Sequence, residues 1–434
     1  MPHTSTALRD AIRSKDASRV ARVLEDQPDL KARLNEPLDG GAFGGTALLA
    51  AAGQANGDII DVLLAAGADI NQKSHWWAGP FGVMDDAWRE PWMPEFLIAR
   101  GARLEIHHAV RLGMIDEVRR MLDADPGLVH GRGGDGQLPL HFAQTIEMVE
   151  YLLGRSADIN ARDVDHESTA AQYMVRDRQD LARLLVNRGG DTDILMSAAL
   201  GDVDRVRRFL EQDPASVRTM VCEEFFPKRD PRAGGTIYIW TLGWHQTAHT
   251  IAREFGHEAI YRLLMDRTPD AMKLGVAALA GDEELVRKLM VTRPDLAAAL
   301  TDDDRRLLVH AAARENLHAV RAMLAAGWPA DARGRDNVTP LHWAAFHGNA
   351  EIAGELLRHG APLDVRDNEF HALPLGWAIY GSVNGWHPDR GDFAGVAQAL
   401  LDAGTVAPEG AEESGSSPVR DVLRRHRERG HANS

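Results

Sequence analysis

A chain of 434 residues, 44% hydrophobic and 26% charged, has the make-up of a folded soluble protein, and at that length it would hold two or three domains unless it is built from repeats. Its formal net charge of −15 argues against a nucleic-acid groove, which needs surplus Lys and Arg to displace counterions. One cysteine, Cys222, excludes an internal disulfide framework and suits a reducing compartment. No stretch approaches the length of an apolar membrane span and the first residues lack the apolar core of a leader, so the expectation is a cytoplasmic protein without a membrane partner.

Taken in chain order, the first periodic stretch is ALRDAIRSKDASRVARVLEDQPDL, which carries Arg and Lys on an outer face and reads as an N-terminal cap over 7–39. TALLAAAGQANGDIIDVLLAAGADIN (46–71) then sets a pattern: a Thr-led short helix rich in Ala, a second helix ending in Leu-Leu, and a Gly-Ala-Asp stop. The pattern returns in LPLHFAQTIEMVEYLLGRSADINARD (138–163) and TPLHWAAFHGNAEIAGELLRHGAPLDVRD (339–367), and Gly327 and Gly360 stand 33 residues apart. Thr46 and Thr339 are placed to cap helices, and Pro340 sits in a first turn, where its missing N–H costs nothing. Ala344 and Ala345 let a neighbouring helix approach, while Gly67, Gly348 and Gly360 supply left-handed stops. A helix pair this small cannot bury its own apolar face and must stack on its neighbours.

These signals resemble the ankyrin repeat, whose T-P-L-H-x-A-A-x-x-G and G-A-x-x-x-x-x-D elements match TPLHWAAFHGNAE and GAPLDVRDN. The resemblance implies an all-α ankyrin-repeat solenoid of about twelve helix-turn-helix units, several degenerate, with short β-hairpin fingers. After the cap, units begin near Gly45, Gly79, His107, Leu138, Ser168, Ile194, Gln246, Met272, Leu307, Thr339 and Leu373. One continuous array is expected over 1–409, in blocks 45–193, 194–271 and 272–409, followed by a flexible linker over 410–417 and a helix and tail over 418–434. EDQPDL, DADPGL, EQDPAS and VTRPDL replace the Gly-Ala-Asp stop in four units and predict longer links there.

One connection, VCEEFFPKRDPRAGGTIYIWTLGWH (221–245), exceeds the family's finger by about ten residues. Thr236–Leu242 alternates β-branched and aromatic residues and reads as a strand, with Gly234-Gly235 as a turn and Phe225-Phe226 as its partner. The expectation is an extended hairpin finger reaching over the concave face. Lys228, Arg229 and Arg232 at its tip either bind an anionic group or pair with Glu223, Glu224 and Asp230.

Finger tips and first-helix ends escape packing constraints, so unusual residues there carry information. The candidates for ligand contact are Trp76, Trp77, Trp88, Asp135, Asp165, His166 and Glu167, then Tyr238, Trp240, Trp244 and His245, then Phe346, His347, Phe370, His371, Tyr380 and Trp386. Aromatic side chains supply contact area at little entropic cost, and a few polar groups fix orientation. Asp85, Asp86, Asp165, His166 and Glu167 are the acid/base candidates, although Asp85-Asp86 reads equally well as a helix cap. The resemblance assigns His141 and His342 to backbone hydrogen bonding; His249 reads as a packing residue, and Trp343 and Trp377 as core.

No metal is expected: His245 and His249 stand four apart but straddle a turn, without the Glu of H-E-x-x-H. No cofactor is expected either, since G-x-x-x-x-G-K-[ST] and G-x-G-x-x-G are absent. The leading reading is a binding protein that holds a protein segment or a small polar ligand in a concave, Trp/His/Asp-rich groove, as a monomer or in an oligomer of unknown size. The alternative is an enzyme on a small polar substrate, a glycoside-type hydrolase or acid/base lyase. Convergence of the aromatic and acidic tips on one pocket favours a small ligand or substrate; their spread along an open groove favours a protein.

Overall fold

The computed structural model describes residues 4–408 and 410–432; Glu409 and the last two residues of the expected tail lie outside the described residues. Helix pairs dominate, and several of their helices open on a side-chain cap. Thr46 Oγ1 accepts from Leu49 N–H (3.4 Å) at the start of Ala47–Gly53, and Thr339 Oγ1 accepts from His342 N–H (3.3 Å) at the start of Pro340–His347. Their partner helices, Gly57–Ala65 and Ala350–Arg358, open on Asn56 and Asn349, which accept from Ile59 and Ile352 N–H at 3.1 Å. Each such cap contributes about 1 kcal/mol. Gly348 closes its helix at φ 65°, in the left-handed region. Ala51, Ala52, Ala344 and Ala345 are wholly buried, as are Ile59, Ile60 and Leu63, so methyl-sized side chains set the spacing at which larger ones interlock.

The chain divides into two compact units, Met1–Met196 with Val221–Gly243, and Ser197–Met220 with Trp244–Ser434. In the first, the pairs Ile106–Arg111/Ile115–Ala124, Pro139–Phe142/Ile146–Gly154 and Ala170–Met174/Gln179–Asn187 follow Ala47–Gly53/Gly57–Ala65. In the second, Ala248–Glu254/Glu258–Arg267, Asp270–Leu279/Glu283–Thr292, Asp302–Ala313/Leu317–Ala325 and Pro374–Asn384/Phe393–Asp402 repeat the plan, and a final helix spans Ser417–Ala432. A 3-10 turn, Ala411–Glu413, lies in the segment read as a linker.

Where Asp-Pro replaces Gly-Ala-Asp, the link is a 3-10 turn with proline in its first position. Pro126–His130 and Pro214–Arg218 are capped by Asp125 and Asp213, which accept from Gly127 and Ala215 N–H at 2.9 Å.

The fingers are tighter than the expected β-hairpins. Among the described residues there is no strand, only the isolated bridges Arg162↔Thr169 and Met220↔Thr247. Each finger closes on one backbone bond, such as Gly133 N–H to Gln137 O (2.8 Å), Asp163 N–H to Ser168 O (3.1 Å) or Gly334 N–H to Val338 O (2.8 Å). Phe43, Asp135 and Asp336 hold the tip in the left-handed region (φ 55°, 55° and 53°), three residues before the cap position of the helix that follows.

The long connection corrects a second expectation. Ile239–Gly243 is a π-helical turn, not a strand. Arg176 donates its guanidinium N–H groups to the Thr241 and Leu242 carbonyls, which a strand would need for a ladder. The buried residues are Thr236, Ile237, Tyr238 and Leu242, three of them consecutive, which a strand with alternating faces would not give. Phe226 does pack edge-on to Tyr238 (5.3 Å), through rings and not through paired backbone.

The histidines of the helix starts serve the backbone. His141 Nδ1 accepts from Leu138 N–H (3.3 Å) and its Nε2 donates to Ser168 O (3.1 Å); His342 does the same with Thr339 N–H (3.1 Å) and Ala372 O (3.2 Å). His249 is wholly buried with Nε2 2.7 Å from Thr268 Oγ1.

Candidate functional site

In the first unit, two neighbouring fingers are bound tip to tip. Val164 and Asp165 N–H both donate to Asp135 O (2.9 and 3.1 Å). Gly136, at φ +69°, makes this approach possible: a Cβ there would lie 2.3 Å from Val164 Cγ2. The carboxyl groups of Asp135 and Asp165 thereby come together, with the His166 ring beside them.

A cleft of about 460 Å3 opens above this trio. The rings of Phe43, Trp76, Tyr173 and Trp240 wall it, and Gln137, Arg232, Gly234 and Ile237 complete the lining. Trp76 Nε1–H donates to Asp135 Oδ1 (2.9 Å), and the Phe43 ring stands edge-on to Trp76 at 4.9 Å. Tyr173 gives its hydroxyl proton to Asp163 Oδ2 (3.1 Å). Trp240 projects from the π turn and is 73% exposed.

The long connection is stitched to the finger that carries Asp165. Gly234 N–H donates to Asp165 O (2.9 Å) and Oδ1 (3.2 Å), His166 Nδ1–H to Gly235 O (2.9 Å), and Ile237 N–H to Ser168 Oγ (3.0 Å). The Glu167 carboxylate accepts from Arg229 and Asp230 N–H, each at 2.9 Å. Burial pushes the Asp135 carboxyl up to about 6; the neighbouring Asp165 adds to the rise, while His166 and the Trp76 bond oppose it.

Of the sequence candidates, Trp76, Asp135, Asp165, His166 and Trp240 meet in this cleft. Trp77 sits behind Trp76 (6.2 Å), under the Arg232 guanidinium (4.3 Å). Glu167 and Tyr238 hold the connection in place: Tyr238 is wholly buried, with its hydroxyl on Asp193 Oδ2 (2.8 Å). The tip cations take the ion-paired form, Lys228 with Glu223 (3.1 Å) and Arg232 with Asp230 (2.7 Å).

Asp85 belongs to a separate cluster. It accepts from Gly82 N–H (2.6 Å), and its Oδ1 lies 3.3 Å from His108 Nε2 and 3.9 Å from His107 Nε2. Burial raises the Asp85 carboxyl, but His108, Gly82 and His107 together outweigh it and leave the group below its ordinary value. Burial holds His107 down to about 4, helped by His108. Asp86 pairs with Arg89 (2.5 Å), and Trp88 stacks under Arg111 (4.4 Å).

The remaining candidates lie in the second unit. Trp244 and His245 are half-buried there, with the His245 ring 4.2 Å from that of His310. Phe346, His347 and Trp386 join Trp343 and Trp377 in one run of rings with centroids 5.2–6.0 Å apart. Trp343 and Trp377 are thus half-buried beneath a surface where Phe370, Tyr380 and Trp386 are exposed. His371 turns the neighbouring finger at φ 51°, and its carbonyl accepts from Arg366 (2.7 Å).

Comparison with known families identifies the array. The model for three copies of ankyrin repeats matches residues 274–367, and the single-repeat model matches 43–75 and 135–164. The chain is an ankyrin-repeat protein. Its relatives include the Ankyrin repeat and SAM domain-containing protein 6 of Rattus norvegicus, 29% identical over 136 residues, which are 30% of this chain and 15% of that protein. The Serine/threonine-protein kinase VIK of Arabidopsis thaliana is 38% identical over 76 residues, 17% of each chain. The Ankyrin repeat and SOCS box protein 16 of Mus musculus is 32% identical over 147 residues, 31% of each chain. The similarity thus spans 15–31% of these relatives' lengths.

Ankyrin repeats support a role in protein interaction. No helix among the described residues is long and apolar enough to cross a membrane. In repeat register, Phe43 and Asp135 are finger-tip residues and Tyr173 is the fourth residue after its helix cap. Sequence reasoning missed Phe43 and Tyr173, although Tyr173 stands where Trp343 and Trp377 stand in their own repeats.

Proposed function

We propose that this ankyrin-repeat protein holds a small polar ligand in the cleft of its first unit. The observation that carries the reading is the convergence of Asp135, Asp165 and His166 under the rings of Phe43, Trp76, Tyr173 and Trp240 in about 460 Å3. That volume suits a small molecule, and a few polar groups among aromatic walls are what orient one. The enzyme alternative loses part of its support, because Asp85 and Asp86 point to other partners and Glu167 anchors the connection. Asp135 and Asp165 remain as the paired carboxyl groups.

A second reading applies to the second unit, where exposed Phe370, Tyr380 and Trp386 sit over packed rings. Such a patch suits the docking of a protein partner, the usual task of the fold.

A thermal-shift screen with organic acids, amino acids, sugars and nucleosides tests the first reading. The expected outcome is a hit whose shift is lost in Trp240→Ala and kept in Trp386→Ala. A hit lost in Trp386→Ala and kept in Trp240→Ala would move the site to the second unit.

A further inference from the structure

Among the described residues, two groups of three side chains have metal-ligand composition and spacing: Asp135/Asp165/His166 and Asp85/His107/His108, each with one ligand atom per residue within 4.8 Å of the others. The hydrogen bonds of the imidazoles separate the two. His108 Nδ1 accepts from Glu105 N–H (3.2 Å), so the neutral ring carries its proton on Nε2, the atom that faces Asp85. That nitrogen has no lone pair to offer, and the group is a histidine–carboxylate contact.

His166 is the reverse case. Its Nδ1 faces the Gly235 carbonyl (2.9 Å), and a carbonyl only accepts, so the proton is on Nδ1. Nε2 then presents a lone pair, 3.6 Å from Asp165 Oδ2. With the ring neutral, these two atoms face each other as acceptors across that distance. Asp165 is more than nine-tenths buried; its Oδ1 is held by Gly234 N–H (3.2 Å), while no donor reaches its Oδ2 among the described residues. Asp135 is arranged alike, with Trp76 on Oδ1 and the second oxygen left over. Every member therefore has one outer bond that fixes its orientation and one lone-pair atom directed inward, the outer-shell arrangement of metal ligands.

We propose that Asp135, Asp165 and His166 bind a divalent transition-metal ion at the floor of the cleft. One imidazole nitrogen with two carboxylates suits Mn2+, Fe2+, Co2+ or Zn2+ better than Ca2+ or Mg2+, which prefer all-oxygen sets. Three protein ligands leave coordination positions open toward the cleft, where a donor atom of the ligand replaces water. The inference deepens the ligand-binding reading of this cleft by naming a metal-coordinating ligand, but the ion itself can be tested without that reading.

The test is calorimetric titration of the untagged, chelator-treated full chain with Co2+, alongside the visible absorption of the bound ion. One equivalent is expected to bind in the micromolar range. Affinity should fall at least tenfold in Asp165→Asn, which keeps the acceptor for Gly234 N–H, and in His166→Gln, and should be unchanged in His108→Gln. Circular dichroism confirms that each variant is folded, and Asp135→Asn replaces any that is not. Absence of binding at millimolar Co2+, or wild-type binding by folded Asp165→Asn, overturns the proposal. A screening hit that persists in chelator alongside such a result leaves the cleft reading standing and removes the ion alone.

Discussion

Lowering the pH from 7 to 5 charges histidines in the unfolded chain that the folded chain keeps neutral. His249 shows why. Its Nε2 lies 2.7 Å from Thr268 Oγ1, whose own proton goes to Leu264 O (2.8 Å), so Nε2 carries the proton and donates. Nδ1 is buried with no partner, and protonating it would place a charge in the core. Burial holds the folded group down to about 3, with the Leu264 carbonyl opposing, against 6.5 for an ordinary histidine. A depressed basic group makes its full contribution above 6.5 and loses it as pH falls toward 3, because the unfolded state takes up the proton first. At pH 5 the unfolded group is 1.5 units below its midpoint, so one such histidine costs about 2 kcal/mol relative to neutral pH. A folded value of 4 in place of 3 barely alters that figure, since both lie below the working pH. The assay is urea unfolding of wild type and His249→Gln at both pH values. The variant should lose about 2 kcal/mol less than wild type between pH 7 and 5. Equal losses in the two proteins would refute the assignment of His249 as a buried neutral group.

Three further substitutions probe the cleft's supports. Gly136→Ala forces a left-handed φ and a Cβ within 2.3 Å of Val164, and should lower the melting temperature by several degrees, corresponding to about 2 kcal/mol or more; an unchanged melt would mean that the fingers can part freely. Glu167→Ala removes the acceptor for two backbone N–H groups of the connection and should speed tryptic cleavage at Lys228, Arg229 and Arg232 severalfold, read by mass spectrometry. Tyr238→Phe deprives half-buried Asp193 of a hydroxyl donor and should cost about 1 kcal/mol in urea unfolding.

The repeat was legible because its signals are local: a Thr cap, a Pro in the first turn, paired alanines and a left-handed Gly recur in one short window. So were the roles of His141, His342 and His249, which follow from repeat register. Asp135, Asp165, His166, Trp76 and Trp240 were legible as residues that packing does not require. The rest depended on distant partners. The Thr236–Leu242 alternation gave no hint that Arg176, some sixty residues earlier, would take its carbonyls. Trp240 and Trp244 share a loop in sequence, yet one belongs to the first compact unit and the other to the second. Tyr238 looked free because the acceptor of its hydroxyl, Asp193, lies far off in the sequence. Phe43 was passed over because its finger carries a worn repeat start, and only its φ shows that it is a tip residue.

Hydrogen–deuterium exchange of the full chain, with and without the best hit from the ligand screen, tests the central claim most directly. The account predicts slowed exchange at 133–137, 163–168 and 232–240, the segments that build the cleft, with the second unit unchanged. Protection confined to 366–387 would contradict it and assign binding to the exposed aromatic surface of the second unit.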